Sequence, residues 1–287
     1  MASLREIRNK IKSVKNTQQI TRAMKLVAAA RVRRAQERIL SARPFAERID
    51  GLISEVGGSA RGTAGVDSPF FEVRPVRARA FVLFSSDRGL CGAFNTNLIR
   101  RTLEQIRTRP EVKTTLYVVG RKGRDYFRRA GVPIAQEWTN LGKDLSYAHA
   151  EIIGQELIDQ YLRGQVDQVY LIFNEFKSVI QQRLIVRPLL PIERPENPAP
   201  GQGEFLYEPR QEVLLQDLIV RHLKAQIYRS LLESGAAELG ARMSAMDSAT
   251  KNAAELIDVM TIRSNRTRQA AITKEILEVM SGAESFR

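Results

Sequence analysis

LREIRNKIKSVKNTQQITRAMKLVAAARVRRAQERILSA, Leu4 to Ala42, is the stretch that decides the fold. Alternating steps of three and four select Leu4, Ile7, Ile11, Val14, Gln18, Thr21, Lys25, Ala28, Val32, Ala35, Ile39 and Ala42, nine of the twelve apolar. That period is the seam of a coiled coil, narrower than the apolar face of an ordinary globular helix. The seam turns polar at Gln18, Thr21 and Lys25, while Ile20, Met24, Leu26 and Val27 lie on other sides. The helix is expected to face more than one neighbour there. From Ile7 to Gln36 the stretch holds no Asp or Glu, so its countercharge must come from elsewhere. Pro44 is where a kink is expected.

The far end of the chain carries a matching seam. Leu218, His222, Ala225, Arg229, Leu232, Ala236, Leu239, Met243, Met246, Thr250, Ala253, Ile257 and Met260 keep the same spacing, ten of thirteen apolar. Beyond Met260 the register turns polar, and a new stripe starts at Ile272, Ile276 and Val279. A last helix of about 75 residues would run roughly 110 Å at 1.5 Å per residue, and only another long helix could cover it. Both arms leave the same middle block, which makes them antiparallel. The first arm is shorter, so the end of the last helix is expected to project alone from near residue 260.

Between the arms, RARAFVLFSS (77–86), TTLYVVG (114–120), VPIAQEW (132–138) and QVYLIFNEF (168–176) read as buried strands. Helical stretches near 95–108, 121–130 and 146–163 separate them, the alternation of a doubly wound sheet. VIQQRLIVRPLL (179–190) is expected to follow as a hairpin strand. Two linkers, GGSARGTAGVDSP (57–69) and RPENPAPGQG (194–203), delimit the block. The expected fold is therefore α/β: a long antiparallel coiled coil of N- and C-terminal helices plus a central doubly wound, Rossmann-like domain. Its segments are 1–56, 70–193 and 208–287.

Composition narrows the function. The 43% hydrophobic content suffices for a real core, and no apolar run reaches the roughly 18 to 20 residues that span a bilayer. An Arg-rich start could imitate a transit peptide, but its apolar spacing runs unbroken into the body. The single cysteine, Cys91, excludes an internal disulfide. Net charge is +13, and residues 1–43 hold 12 Lys+Arg against Glu6 and Glu37 alone. Such a stripe is a solvated face, or a contact for nucleic acid, an anionic membrane surface or an acidic protein.

Catalytic readings are weak throughout. SSDRGLCGAFNTN (85–97) is a glycine-bearing strand-to-helix turn, yet it lacks G-x-G-x-x-G spacing and a G-K-[ST] ending, so a structural turn is expected. His149 and His222 stand far apart without other metal ligands nearby in sequence. Glu275 and Glu278 share a helical face but read as exposed charges. The chain has the marks of a mechanical or binding part. A basic coiled-coil protein gripping nucleic acid is the alternative, disfavoured because only Phe45 accompanies the first arm's charge.

The segments SLREIRNKIKSVKNTQQITRAMKLVAAARVRRAQ, SSDRGLCGAFN and NRTRQAAITKEILEVMSGA resemble the gamma subunit of F-type ATP synthases, and the resemblance covers the full length. The terminal pattern of Ile272, Thr273, Glu275, Glu278, Gly282, Ala283 and Ser285 fits that family's signature. The resemblance implies a central rotor shaft inside a ring of alpha and beta subunits, with the α/β block resting beside epsilon on the membrane c-ring. It implies a noncatalytic subunit without cofactor, metal or direct nucleotide binding, and no nucleic-acid partner. It also implies peripheral association, through the complex, with the cytoplasmic side of a bacterial inner (plasma) membrane. Met24, Lys25, Arg268 and Gln269 match segments that face the catalytic subunits. Arg31, Arg33 and Arg34 are added because their charge is expected to have no partner within the first arm; the terminal stripe and signature add Ile272, Thr273, Glu275, Ile276 and Val279. An acidic segment of each beta subunit would supply the countercharge missing from Ile7 to Gln36. The cysteine-bearing redox insertion of plant-type members has no counterpart here.

Overall fold

A computed structural model describes residues 3–59, 68–141, 145–192 and 211–284. Helix α1 runs Leu4–Ser59 and helix α5 Gln211–Glu284, 56 and 74 residues. Between them come β1 (Ala78–Phe84), α2 (Phe94–Thr108), β2 (Lys113–Val119), α3 (Arg121–Arg129), β3 (Ile134–Trp138), α4 (Tyr147–Leu162), β4 (Gln168–Phe176) and β5 (Gln182–Leu190). Pro44 sits inside α1, which continues through Gly57 and Gly58 to Ser59, three residues into the expected first linker. Residues 60–67 of that linker, and the whole of the second, lie outside the described residues. The chain divides into two compact units, residues 1–29 with 242–287 and residues 30–241.

In the larger unit the five strands are ordered β3-β2-β1-β4-β5, the first four parallel and β5 antiparallel to β4. All seven residues of β1 are buried, as a central strand with helices on both faces demands. Phe81 and Leu83 share a cluster with Phe94 and Leu98 of α2 and Phe127 of α3. Ala80, Val82 and Phe84 join Ile153 and Leu157 of α4 and Leu223, Ile227 and Leu231 of α5. Arg79 interrupts the apolar run of β1. Its guanidinium donates to the carbonyls of Ile106 and Arg109 and lies over the Phe81 ring. The expectation of a buried β3 does not hold: β3 is an edge strand with Ala135 and Gln136 exposed, because only β2 pairs with it.

The smaller unit is a stretch of antiparallel coiled coil formed by α1 and α5. Leu4, Ile7, Ile11, Val14, Gln18, Thr21, Lys25 and Ala28 are all buried or half-buried, as are Met243, Met246, Thr250, Ala253, Ile257 and Met260. Thr21 bonds Thr250 and Lys25 pairs with Asp247, so the register is antiparallel. Carried outward, that register sets Ile7 level with Ser264 and Leu4 level with Thr267. Ser264 is buried and Thr267 half-buried. The seam thus extends one helical turn or more past the expected limit near residue 260, and ends where α1 ends. It remains covered because small Ser and Thr side chains can sit in a seam that their polarity disguises.

The turn from β2 into α3 needs glycine. Gly120 has φ of +92°, and a Cβ added there would run into the Ser85 carbonyl. Gly120→Ala is expected to destabilise the subunit by about 3 kcal/mol or more, since it combines left-handed strain with a backbone clash. Urea unfolding of the isolated chain measures it, and a loss below about 1 kcal/mol would contradict this account of the turn.

Candidate functional site

From Arg268 to Ser281, helix α5 has no cover from the described residues of its own chain. Every residue from Arg268 to Ser281 is exposed. This segment holds Arg268, Gln269, Ile272, Thr273, Glu275, Ile276 and Val279, seven of the residues singled out from sequence. Thr273 Oγ1 donates to the Gln269 carbonyl at 3.0 Å, and Lys274 pairs with Glu278 at 3.4 Å, so these three side chains find partners along the helix itself. The apolar ones are not: Ile272, Ile276 and Val279 are 48%, 54% and 73% exposed. Sequence reasoning missed Met280 and Leu277, which are exposed beside them. Met280 stands at i+4 from Ile276 and continues the stripe; that spacing was available as a signal. Nearer the seam, Ile20, Leu26 and Val27 of α1 and Leu256, Val259 and Ile262 of α5 are also exposed.

The polar interruption of the seam is a bonded layer. Thr21 Oγ1 donates to the Gln18 carbonyl at 3.0 Å and lies 2.8 Å from Thr250 Oγ1, whose one hydrogen is shared between Thr21 and the Met246 carbonyl at 2.7 Å. One turn away, Asp247 accepts from Lys25 and pairs with Lys251 at 3.1 Å. Hydrogen bonds from Lys25 first, then Lys251, hold the Asp247 carboxyl below the usual carboxylate range. Lys25 therefore has an internal countercharge, on α5 rather than within the first arm, and Met24 beside it is half-buried.

Residues Arg31, Arg33 and Arg34 lie in the larger unit. Arg31 is half-buried; Arg33 and Arg34 are exposed. The reading that all three lack a partner within the first arm fails for Arg33, whose Nε lies 3.5 Å from Glu37 one turn along. Both side chains are well exposed, so the pair contributes only about 0 to 1 kcal/mol.

The glycine-bearing turn at 85–97 is occupied by its own side chains. Asp87 Oδ1 accepts from Arg121 N at 3.0 Å and Asn140 N at 3.2 Å, and Gly123 N donates to Ser85 Oγ at 2.9 Å. Arg121 N and Gly123 N belong to the first turn of α3, so side chains of the 85–97 turn take donors at the start of that neighbouring helix. Asn95 accepts from Ser86 N and donates to the buried Cys91 Sγ at 3.2 Å. His149 is likewise structural: its Nδ1 accepts from Ser146 N at the start of α4.

The ATP synthase family model matches residues 3–286. The ATP synthase gamma chain of Anaeromyxobacter sp. (strain Fw109-5) is 48% identical across the whole of both chains. The chain belongs to the ATP synthase gamma family. The gamma chain of Desulforamulus reducens is 46% identical, again over both full lengths. Among solved structures, a chain of the Euglena gracilis mitochondrial ATP synthase (OSCP/F1/c-ring) superposes with a TM-score of 0.72 at 19% identity, covering 99% of this chain and 94% of that one. One from the Tetrahymena thermophila enzyme (central stalk/cring) gives 0.64 at 24%, over 80% and 99%. A gamma chain is the central-stalk rotor of its synthase, so the basic stripe needs no nucleic-acid partner.

Two outcomes follow for the free subunit. Met246→Ala should cost about 2–5 kcal/mol, whereas Ile276→Ala should stay within about 0.5 kcal/mol, because only the first side chain is buried. A comparable loss at Ile276 in chemical denaturation would place it against its own chain. For Asp247 the folded value is lowered, so its contribution is complete above the unfolded value near about 3.9 and is lost as pH falls through the folded one. The melting gap between wild type and Asp247→Asn should accordingly close on acidification below about pH 4. A gap that does not narrow at all as pH falls below the unfolded value would show that the ion pair is not its source.

Proposed function

We propose that the chain is a noncatalytic coupling subunit in which proton flow through the membrane c-ring turns the coiled coil, and the shaft's asymmetry imposes different states on three otherwise equivalent catalytic sites. The segments act as a first shaft helix (1–56), an α/β foot (70–193) and a second shaft helix (208–287). The observation that carries this is the projecting end of α5, where Ile272, Ile276, Leu277, Val279 and Met280 are exposed in a run without cover from the described residues. An apolar bearing surface has few directional bonds to break as it turns, which suits a rotating contact.

Alpha and beta subunits form the sleeve around that end, touching Arg268, Gln269, Ile272, Thr273, Glu275, Ile276 and Val279. Met24 is a second ring contact, beside Lys25 in its pair with Asp247. Arg31, Arg33 and Arg34 meet acidic groups of the beta subunits through weak, exposed pairs that form and break at each step. The α/β foot sits with epsilon on the c-ring, and nucleotides bind the ring subunits. The subunit is peripheral, on the cytoplasmic side of a bacterial inner membrane; none of the described helices is long and apolar enough to cross a bilayer.

Changing Arg31, Arg33 and Arg34 together to Gln should leave the subunit's melting temperature in place and lower ATP-driven proton pumping by about twofold or more in vesicles carrying the assembled complex. Pumping equal to wild type at low salt would remove these arginines from the coupling path.

A further inference from the structure

A doubly wound sheet offers its ligand crevice beyond the carboxyl ends of the strands, at the point where strand order reverses. Here the chain builds outward from β1 through β2 to β3 and then returns to lay β4 on the other side of β1. The reversal lies between β1 and β4, which end at Phe84 and Phe176. Helix α5 fills that position. Ser234 Oγ donates to the Phe84 carbonyl at 3.0 Å, and Phe176 N donates to Glu233 Oε2 at 2.9 Å. Glu233 is 1% exposed, and the only ion pair it makes among the described residues is with Arg229 Nε at 3.9 Å. Small residues bring the helix close: a Cβ at Gly235 would meet Leu145 at 2.9 Å, and one at Gly240 would meet the Phe176 ring at 3.2 Å.

We propose that Glu233 and Ser234 form the joint that transmits torque between the α/β block and the shaft helix, with α5 seated in the sheet's crevice as its permanent ligand. This rests on the rotor reading above. Apolar packing is non-directional and resists sliding poorly, whereas a hydrogen bond fixes an angle. Glu233 and Ser234 are consecutive, so they leave the helix about 100° apart, and each grips the end of a different strand. Turning α5 about its axis in either sense breaks one of the two bonds. A buried carboxylate held to a single backbone amide has a use in such a joint that packing alone would not require. Both side chains are positioning residues, since neither touches a reacting atom.

The test uses the complete complex in sealed vesicles and reads protons pumped per ATP hydrolysed. It is run for wild type, Glu233→Gln, Ser234→Ala and the double variant Glu233→Leu with Ser234→Ala. The Gln variant keeps an acceptor for Phe176 N and should retain the wild-type ratio. The double variant should lose at least about half of that ratio while the catalytic subassembly, detached from the membrane, hydrolyses ATP at the wild-type rate, as expected when directional bonds are lost and apolar contacts remain. An unchanged ratio in the double variant overturns the joint. Parallel loss of pumping and hydrolysis in both the Gln and double variants also overturns it, since that marks a packing role. Should the double variant fail to assemble, Ser234→Ala decides: a lowered ratio supports the joint and an unchanged one overturns it. A complex that pumps fully without this chain would instead sink the rotor reading itself.

Discussion

Two helices of 56 and 74 residues can persist in water only by covering each other's apolar stripe. That mutual cover fixes the antiparallel register, and the register fixes where cover ends. Among the described residues, α1 reaches outward as far as Leu4, and α5 is bare from Arg268 to Ser281. The exposed end is a direct consequence of unequal helix lengths, and it is the part of the molecule best suited to meet other subunits. Nothing in its own chemistry needs to be special. Lys274 and Glu278 satisfy each other along the helix, and the apolar residues are left for a partner to bury.

Polar residues within the seam serve the same end. A seam made wholly of Leu, Ile and Ala tolerates slippage by a heptad, because one apolar layer resembles the next. The layer of Thr21, Thr250, Lys25 and Asp247 has one satisfied arrangement, and a shift of one heptad would strand its donors and acceptors. Along the exposed flanks, by contrast, the excess of Lys and Arg on α1 repels itself and costs the isolated chain stability. An acidic surface brought against that face would lower the cost.

The α/β block has a doubly wound topology in which the chain's own side chains take part of the crevice where such folds bind ligands. Asp87 and Ser85 occupy the amides that open α3, and α5 itself closes the end of β1 and β4. Anionic and hydroxyl groups of the chain stand where phosphate oxygens stand in relatives of the topology. The sheet has become a rigid mount for a helix.

The sequence alone determined the element types, because periodicity is written locally. A 3.5-residue seam marks both long helices, and fully apolar runs such as AFVLF mark parallel strands covered on both faces. The register change after Met260 also marked the last turns of α5 as projecting, with a limit near residue 260 that falls a helical turn or more short of the observed one, whereas Arg268 and Gln269 were singled out by resemblance. Family resemblance, not periodicity, supplied the partners on the other side. Only the tertiary structure decided which polar residues are matched. Lys25 and Asp247 are 222 residues apart, and Ser234 and the Phe84 carbonyl 150. No local pattern distinguishes a lysine that will meet such a partner from one left in water. Ser264 and Thr267 escaped for the same reason: a side chain's burial at the end of a seam depends on where the opposing helix stops, and that is a property of two distant segments brought together.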